Sequence, residues 1–183
     1  MAGIANANAI LHFWFEETPP RAWFRNDPAF DAQIRERFLV IYLMAARGEL
    51  SGWRASAKGR LAEIIVLDQF PRNLFRDSGQ AFATDPMALV LAQEAVAGGA
   101  LDQLEQRQQP FLIMPYMHSE SAVIHEQAVT LFSRPGLEYN LEFELKHKAI
   151  IDRFGRYPHR NAVLGRETTP EEAVFLQEPD SSF

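Results

Sequence analysis

The chain has 183 residues, enough for a single domain spanning residues 1–183 that removes about two-thirds of its unfolded surface from water without a disulfide or metal staple. Apolar types make up 47% and charged types 23%, the balance of a globular protein with a real core. Cysteine is absent, which excludes a disulfide framework, a thiolate metal site and a Cys nucleophile. The net charge of -6, from 24 acidic and 18 basic residues without a basic block, argues against nucleic acid as a partner.

Met1 to Phe15 is apolar but has no basic leader and no small-residue cleavage site, so it reads as mature protein. Within it, Ala5 to Glu16 places Ile10, Leu11, Trp14 and Phe15 at helical spacing, and Thr18-Pro19-Pro20 stops the helix. Asn26-Asp27-Pro28 caps a long second helix, whose stripe of Phe30, Ile34, Phe38, Ile41 and Ala45 runs toward Gly48. Its most continuous apolar run, Phe38 to Ala46, would cover only about 14 Å as a helix against a hydrocarbon core of about 30 Å, so no membrane span is expected. A third helix starts at Ser56, carries Leu61, Ile64, Ile65 and Asp68 on one face, and is expected to end at Pro71. Asp85-Pro86 opens a fourth, with Met87, Val90, Leu91, Glu94 and Ala95 as its stripe and Gly98-Gly99 as its stop.

The run from Gln108 to Tyr116 lacks a period and is expected to be loop or a short helix. Ser119–Phe132 and Leu137–Phe154 read as two helices joined through Arg134-Pro135-Gly136 into a hairpin. Thr169-Pro170-Glu171-Glu172 is a capping box that opens a short terminal helix through Gln177, and the last residues, Pro179 to Phe183, are expected to dock on the domain. The whole reads as all-α: an array of antiparallel helix pairs closed by a short C-terminal helix. Trp14, Trp23, Phe24 and Trp53 are expected to fill its core. The lack of cysteine and of any leader or membrane segment fits a cytoplasmic protein.

Several spaced segments together resemble the DUF924 family of bacterial proteins of unknown function. They are Phe13-Trp14-Phe15, Leu67-Asp68-Gln69-Phe70-Pro71-Arg72-Asn73, Met117-His118-Ser119-Glu120, Phe154-Gly155-Arg156-Tyr157-Pro158-His159-Arg160-Asn161, Leu164-Gly165-Arg166 and the closing Ser181-Ser182-Phe183. The resemblance implies a tetratricopeptide-like all-α fold and brings no activity or substrate with it.

Chemistry must therefore be sought in the residues. Asp68 faces inward at a helix C-terminus, where a carboxylate gains nothing from the helix dipole and needs a cation or several donors. Arg72 and Asn73 lie close by in sequence, and Arg156, Arg160 and Arg166 are candidates from the far end of the chain. His118 and Glu120 sit before a helix, while His125 and Glu126 are read as surface residues. His147 lies on the apolar side of its helix, flanked by Phe143, Ile150, Ile151 and Phe154, and needs a hydrogen-bond partner if buried. Arg160 and Asn161, with His159, belong to a post-helical loop suited to clamping a carboxylate or phosphate, although the same groups would serve as helix caps and ion pairs.

Two readings follow. In the first, Asp68, His118, Glu120, His147 and His159 supply acid-base groups, and Arg72, Asn73, Arg160, Asn161 and Arg166 bind a small anionic ligand. In the second, the helical array grips a peptide or protein partner. A metal site lacks the ligand spacing, and no phosphate loop, nucleophile elbow or dinucleotide fingerprint points to a cofactor.

Overall fold

The computed structural model describes residues 5–183, and the four residues before Ala5, with their share of the expected mature start, lie outside the described residues. Helix α1 (Ala7–His12) is capped by the Asn6 side chain, which accepts from the Ala9 amide at 2.9 Å. It widens into a π turn over Phe13–Glu17, and Thr18 closes that turn by donating its hydroxyl to the Phe13 carbonyl at 2.7 Å. Three consecutive residues span about 200° of an α-helical wheel and cannot all face inward. The wider turn resolves this, and Phe13, Trp14 and Phe15 are all buried.

Helix α2 (Pro28–Ala46) starts at Asp27, whose carboxylate accepts from the amides of Ala29 and Phe30, and it buries the expected stripe of Phe30, Ile34, Phe38, Ile41 and Ala45. Helix α3 (Ala57–Asp68) is the axis of the molecule. Ten of its twelve residues are buried, because α1, α2, α5 and α6 pack against it from different sides. Even Glu63 is enclosed, held by a two-pronged Arg54 fork at 2.7 Å on each arm. Pro71 does not end this segment as expected. It falls in the first turn of a new short helix, α4 (Phe70–Leu74), where its missing N–H has no helical acceptor to satisfy.

Helix α5 (Asp85–Ala97) is turned from its expected orientation. Its buried face is Ala88, Ala92 and Ala95, while Val90 and Glu94 face outward. Alanine contributes little to a hydrophobic stripe, but it lets helix axes approach closely, and α5 lies against both α3 and α6. Of the two readings left open for Gln108–Tyr116, the helix holds: α6 (Gln109–Met117) buries every residue from Pro110 to Met117. A helix enclosed on all sides shows no amphipathic period, so periodicity could not reveal it.

Helices α7 (Ala122–Phe132) and α8 (Glu138–Phe154) form the expected hairpin. The first starts three residues later than expected, at Ala122, with Ser121 at the cap position. Gly155, at φ 70°, ends α8 in the left-handed conformation that glycine adopts without strain. Helix α9 (Pro170–Phe175) carries the Thr169–Glu172 capping box. The tail folds back, so that the Phe183 ring stacks on His147 with centroids 3.8 Å apart. Among the described residues there is no strand, and no helix is long and apolar enough to cross a membrane.

The aromatic expectation is corrected in part. Trp14 is fully buried at the centre of a cluster with Trp23, Phe30, Phe70 and Phe111, but Trp23 and Trp53 are half-buried and Phe24 is 67% exposed.

Gly59, one turn into α3, faces the Trp53 backbone carbonyl at the place a Cβ would occupy. Helix propensity alone would make Gly59→Ala stabilising by about 1 kcal/mol. The backbone clash reverses the sign, and we expect Gly59→Ala to lower the urea-unfolding free energy by about 1–3 kcal/mol.

Candidate functional site

The site is built where α3 ends and α6 ends. The terminal carbonyls of α3 are satisfied from other elements: the Leu67 carbonyl accepts from the Thr84 hydroxyl at 2.6 Å and the Asp68 carbonyl from Arg72 Nη1 at 2.6 Å. After α6, three successive carbonyls are each held by a different distant side chain. Met117 accepts from the Tyr157 hydroxyl at 2.6 Å, His118 from Arg160 Nη2 at 3.1 Å, and Ser119 from His125 Nε2 at 2.8 Å. Glu120 completes the latch, accepting from the Tyr157 amide and, bidentately, from Arg166. The loop after α8 thereby fixes the backbone that carries His118.

The Asp68 side chain is fully buried. Its Oδ1 accepts from His118 Nδ1 at 2.7 Å, its Oδ2 accepts from the Gln69 amide at 2.8 Å, and Arg72 Nη1 lies 3.8 Å away. Burial works to raise the Asp68 carboxyl, and the opposing pull of the His118 ring, Arg72 and the hydrogen bonds from His118 and Gln69 holds it below the usual carboxylate value. Burial, followed by the Arg72 charge, lowers the His118 imidazole against the attraction of Asp68. Near neutral pH the pair is thus an ionised carboxylate with a neutral imidazole whose proton sits on Nδ1. His118 Nε2 makes no hydrogen bond among the described residues, so its lone pair stays available.

Arg72 has a different main partner from the one expected. It grips Asp85, in the first turn of α5, at 2.9 and 3.0 Å, and so ties α4 to α5. Asp85 thus serves as an ion-pair partner, while Thr84 takes the cap position of α5.

These groups open onto a cavity of about 590 Å³. Of the expected site residues, Arg72, Asn73, His118, His147, His159 and Arg160 line it, with Asp68 immediately behind His118. Its apolar wall comes from Trp23, Phe24, Phe82, Met114, Phe143 and Phe183. A second cavity, of about 410 Å³, lies on the other side of His118, Phe82 and Arg160 and is bordered by Asp85 and Glu120. The remaining expected residues face each other. Asn161 donates to Glu172 and Thr168 and accepts from Arg166, so Glu120, Asn161 and Arg166 hold the loop closed and do not line the larger cavity. Asn73 donates to Asp31, which Arg76 also grips.

Two imidazoles on the cavity wall are neutral at physiological pH. His147 is pushed down to about 3 by burial, and its Nδ1 donates to the Phe143 carbonyl at 2.7 Å. His159 is pushed down to about 4 by burial and then by the adjacent Arg160 charge. Arg160 itself is 6% exposed, and its guanidinium lies between the rings of Phe82 and Tyr157, at 4.4 and 4.6 Å from their centroids.

His125 corrects the sequence reading. It is not on the surface but completely buried, with Nδ1 2.6 Å from Glu144 of α8 and Nε2 donating to Ser119. The signal was present, since His125, Ala128 and Phe132 occupy the buried stripe of α7 at helical spacing. Gln69, Asp85 and Phe82 also belong to the site and were not singled out: Asp85 and Phe82 meet Arg72 and Arg160 from other segments, and Gln69 bonds the neighbouring Asp68. Among the described residues, no group of three or more His, Asp or Glu side chains is arranged to hold a metal ion.

Fold and site together define an all-α protein with an aromatic-walled polar cavity organised around a buried Asp-His pair. The chain belongs to the DUF924 family, bacterial proteins of unknown function, whose family model matches residues 10–180. A solved structure of a protein of unknown function from Agrobacterium tumefaciens, ATU0120, is similar over 93% of this chain and 96% of its own, with 40% sequence identity and a TM-score of 0.89. The comparison with curated proteins gives no match.

The two depressed imidazoles make stability dependent on pH. Their folded values lie below the unfolded value of about 6.5, so between these limits the unfolded chain binds more protons. The stabilisation is complete above pH 6.5 and is lost as pH falls toward 4. We expect the unfolding free energy to drop with a slope approaching 1.4 kcal/mol per pH unit for each imidazole. His147→Phe should flatten this slope in denaturant titrations between pH 7.5 and 4.5.

Proposed function

We propose that the larger cavity is an acid-base site for a small anionic metabolite, with His118 as the proton-transferring group. The observation that carries this reading is the Asp68–His118 pair: a buried carboxylate fixes the tautomer and orientation of an imidazole that lines the cavity with Nε2 unengaged. A general base needs geometry first and an accessible lone pair second, and His118 has both. Its lowered affinity for protons keeps it in the basic form at neutral pH. Arg160 supplies positive charge at the same wall, suited to substrate anions or to negative charge that develops when His118 removes a proton. Asp68 acts as a positioning residue, since it touches His118 and not the cavity.

The alternative, a tetratricopeptide-like module gripping a peptide, finds less support. A cavity of about 590 Å³ is of the size that holds small molecules, and its polar groups converge at one wall in place of a long groove.

The test is a thermal-shift screen of the wild type against small carboxylates and phosphates, followed by assay of the hits for turnover. At least one anion should raise the midpoint. His118→Gln should keep that shift while lowering turnover roughly 100- to 10,000-fold, the range for loss of a general acid or base. The acid limb of wild-type turnover should fall below pH 6.5, the usual imidazole value, because the His118 value is lowered. A wild type that no anion stabilises would sink the proposal.

A further inference from the structure

The cavity contains four guanidinium groups, but their states differ. Arg72 is gripped bidentately by Asp85, Arg76 is gripped bidentately by Asp31, and Arg25 is exposed. Arg160 is 6% exposed and lacks a hydrogen-bonded carboxylate; the nearest, Asp85 Oδ2, is 3.7 Å from Nη1. Only Nη2 is engaged, on the His118 carbonyl, while Nε is a buried donor with no partner among the described residues. The neighbouring His159 presents the same feature, a buried Nδ1 without a partner among the described residues.

Such atoms are costly to enclose unless something completes their hydrogen bonds. Two of them are adjacent in sequence and belong to residues that line the cavity, and they mark the side of it where a docked ligand would complete the hydrogen bonding. The guanidinium plane is also fixed in advance, because Phe82 and Tyr157 sandwich it. A side chain held in this way loses little freedom when an anion docks on it.

Resting on the small-anion reading above, we propose that the ligand is an aryl carboxylate, whose single negative charge meets Arg160 and His159 and whose ring fills the aromatic part of the cavity. Among the described residues, Arg160 is the one buried cation of the cavity whose carboxylate neighbour, Asp85 at 3.7 Å, makes no hydrogen bond to it, so a single ligand charge has a place there. A phosphate dianion would leave its second charge uncompensated, because Arg72 and Arg76 already carry their own carboxylates. Trp23, Phe24, Phe82, Phe143 and Phe183 line the same cavity and offer faces and edges for a flat apolar body. With neutral His118 on the same wall, the proton it removes would come from a carbon or heteroatom near that carboxylate.

The experiment compares 3-phenylpropionate, its amide and phenyl phosphate on the wild-type chain, read by calorimetry and by quenching of tryptophan fluorescence, since Trp23 lines the cavity. The carboxylate is expected to bind at least about tenfold more tightly than either competitor, the scale of one charged hydrogen-bonded contact. Arg160→Gln should remove that preference, bringing the carboxylate and the amide to similar affinity. His118→Gln should preserve it, which separates recognition of the anion from proton transfer. Equal binding of carboxylate and amide, tighter binding of phenyl phosphate, or no binding of any of the three would overturn the substrate class. Turnover of a different anion that still depends on His118 would leave the acid-base reading standing while this one fails. The comparison of ligands on the wild type holds even if Arg160→Gln does not fold.

Discussion

A carboxylate with no exposure to water, at the end of the axial helix α3, is the condition around which this structure is arranged. Removing an ionised group from water costs several kcal/mol unless its partners are close and correctly directed. Asp68 meets that demand with Gln69 at the junction of α3 and α4, the Arg72 charge from α4 and His118 from the end of α6. Each of these recruits the next layer. Arg72 needs Asp85, His118 needs its backbone held, and the residues that hold it, Tyr157, Arg160 and His125, come from the last third of the chain. A chain of hydrogen-bonded polar groups therefore joins α3 to the loop after α8. Apolar packing alone would tolerate several relative placements of these elements; the polar chain admits few of them.

The order of that chain also explains why His118 differs from the other imidazoles. His125 has both ring nitrogens engaged in fully buried contacts, and it acts as a strut between α7, α8 and the Met117–Glu120 segment. His147 has one nitrogen on its own helix and one face covered by Phe183. His118 alone combines a buried acceptor on one nitrogen with an unengaged second nitrogen on the wall of both cavities.

Much of the architecture was legible in the sequence where a helix buries one face only. The stripe of α2 and the cap at Asp27 were of this kind, as was the inward position of Asp68. Elements enclosed on all sides were less so. Helix α6 shows no period because every side chain is inside, and the inner face of α5 is written in alanines that carry almost no hydrophobic signal. For the site, residue type and helical position were enough to mark His147 as buried and to place Asp68, His118, His159 and Arg160 among the polar groups that meet. They did not distinguish groups facing a cavity from groups facing each other. Glu120, Asn161 and Arg166 have the same chemistry as the lining residues, and only three-dimensional pairing shows that they latch the loop.

The small inner face of α5 has a mechanical consequence. Ala88, Ala92 and Ala95 seat this helix closely on α3 and α6, and its first residue is the Asp85 that grips Arg72. The helix is therefore a rigid arm, seated along its length, with the site at its tip. A bulkier side chain anywhere along the seat would tilt the arm about that point, and the displacement would grow toward Asp85. The separation of two packed helices, set by three methyl groups, thus calibrates the position of a charge at the far end, and residues remote from the cavity acquire leverage over the imidazole on its wall.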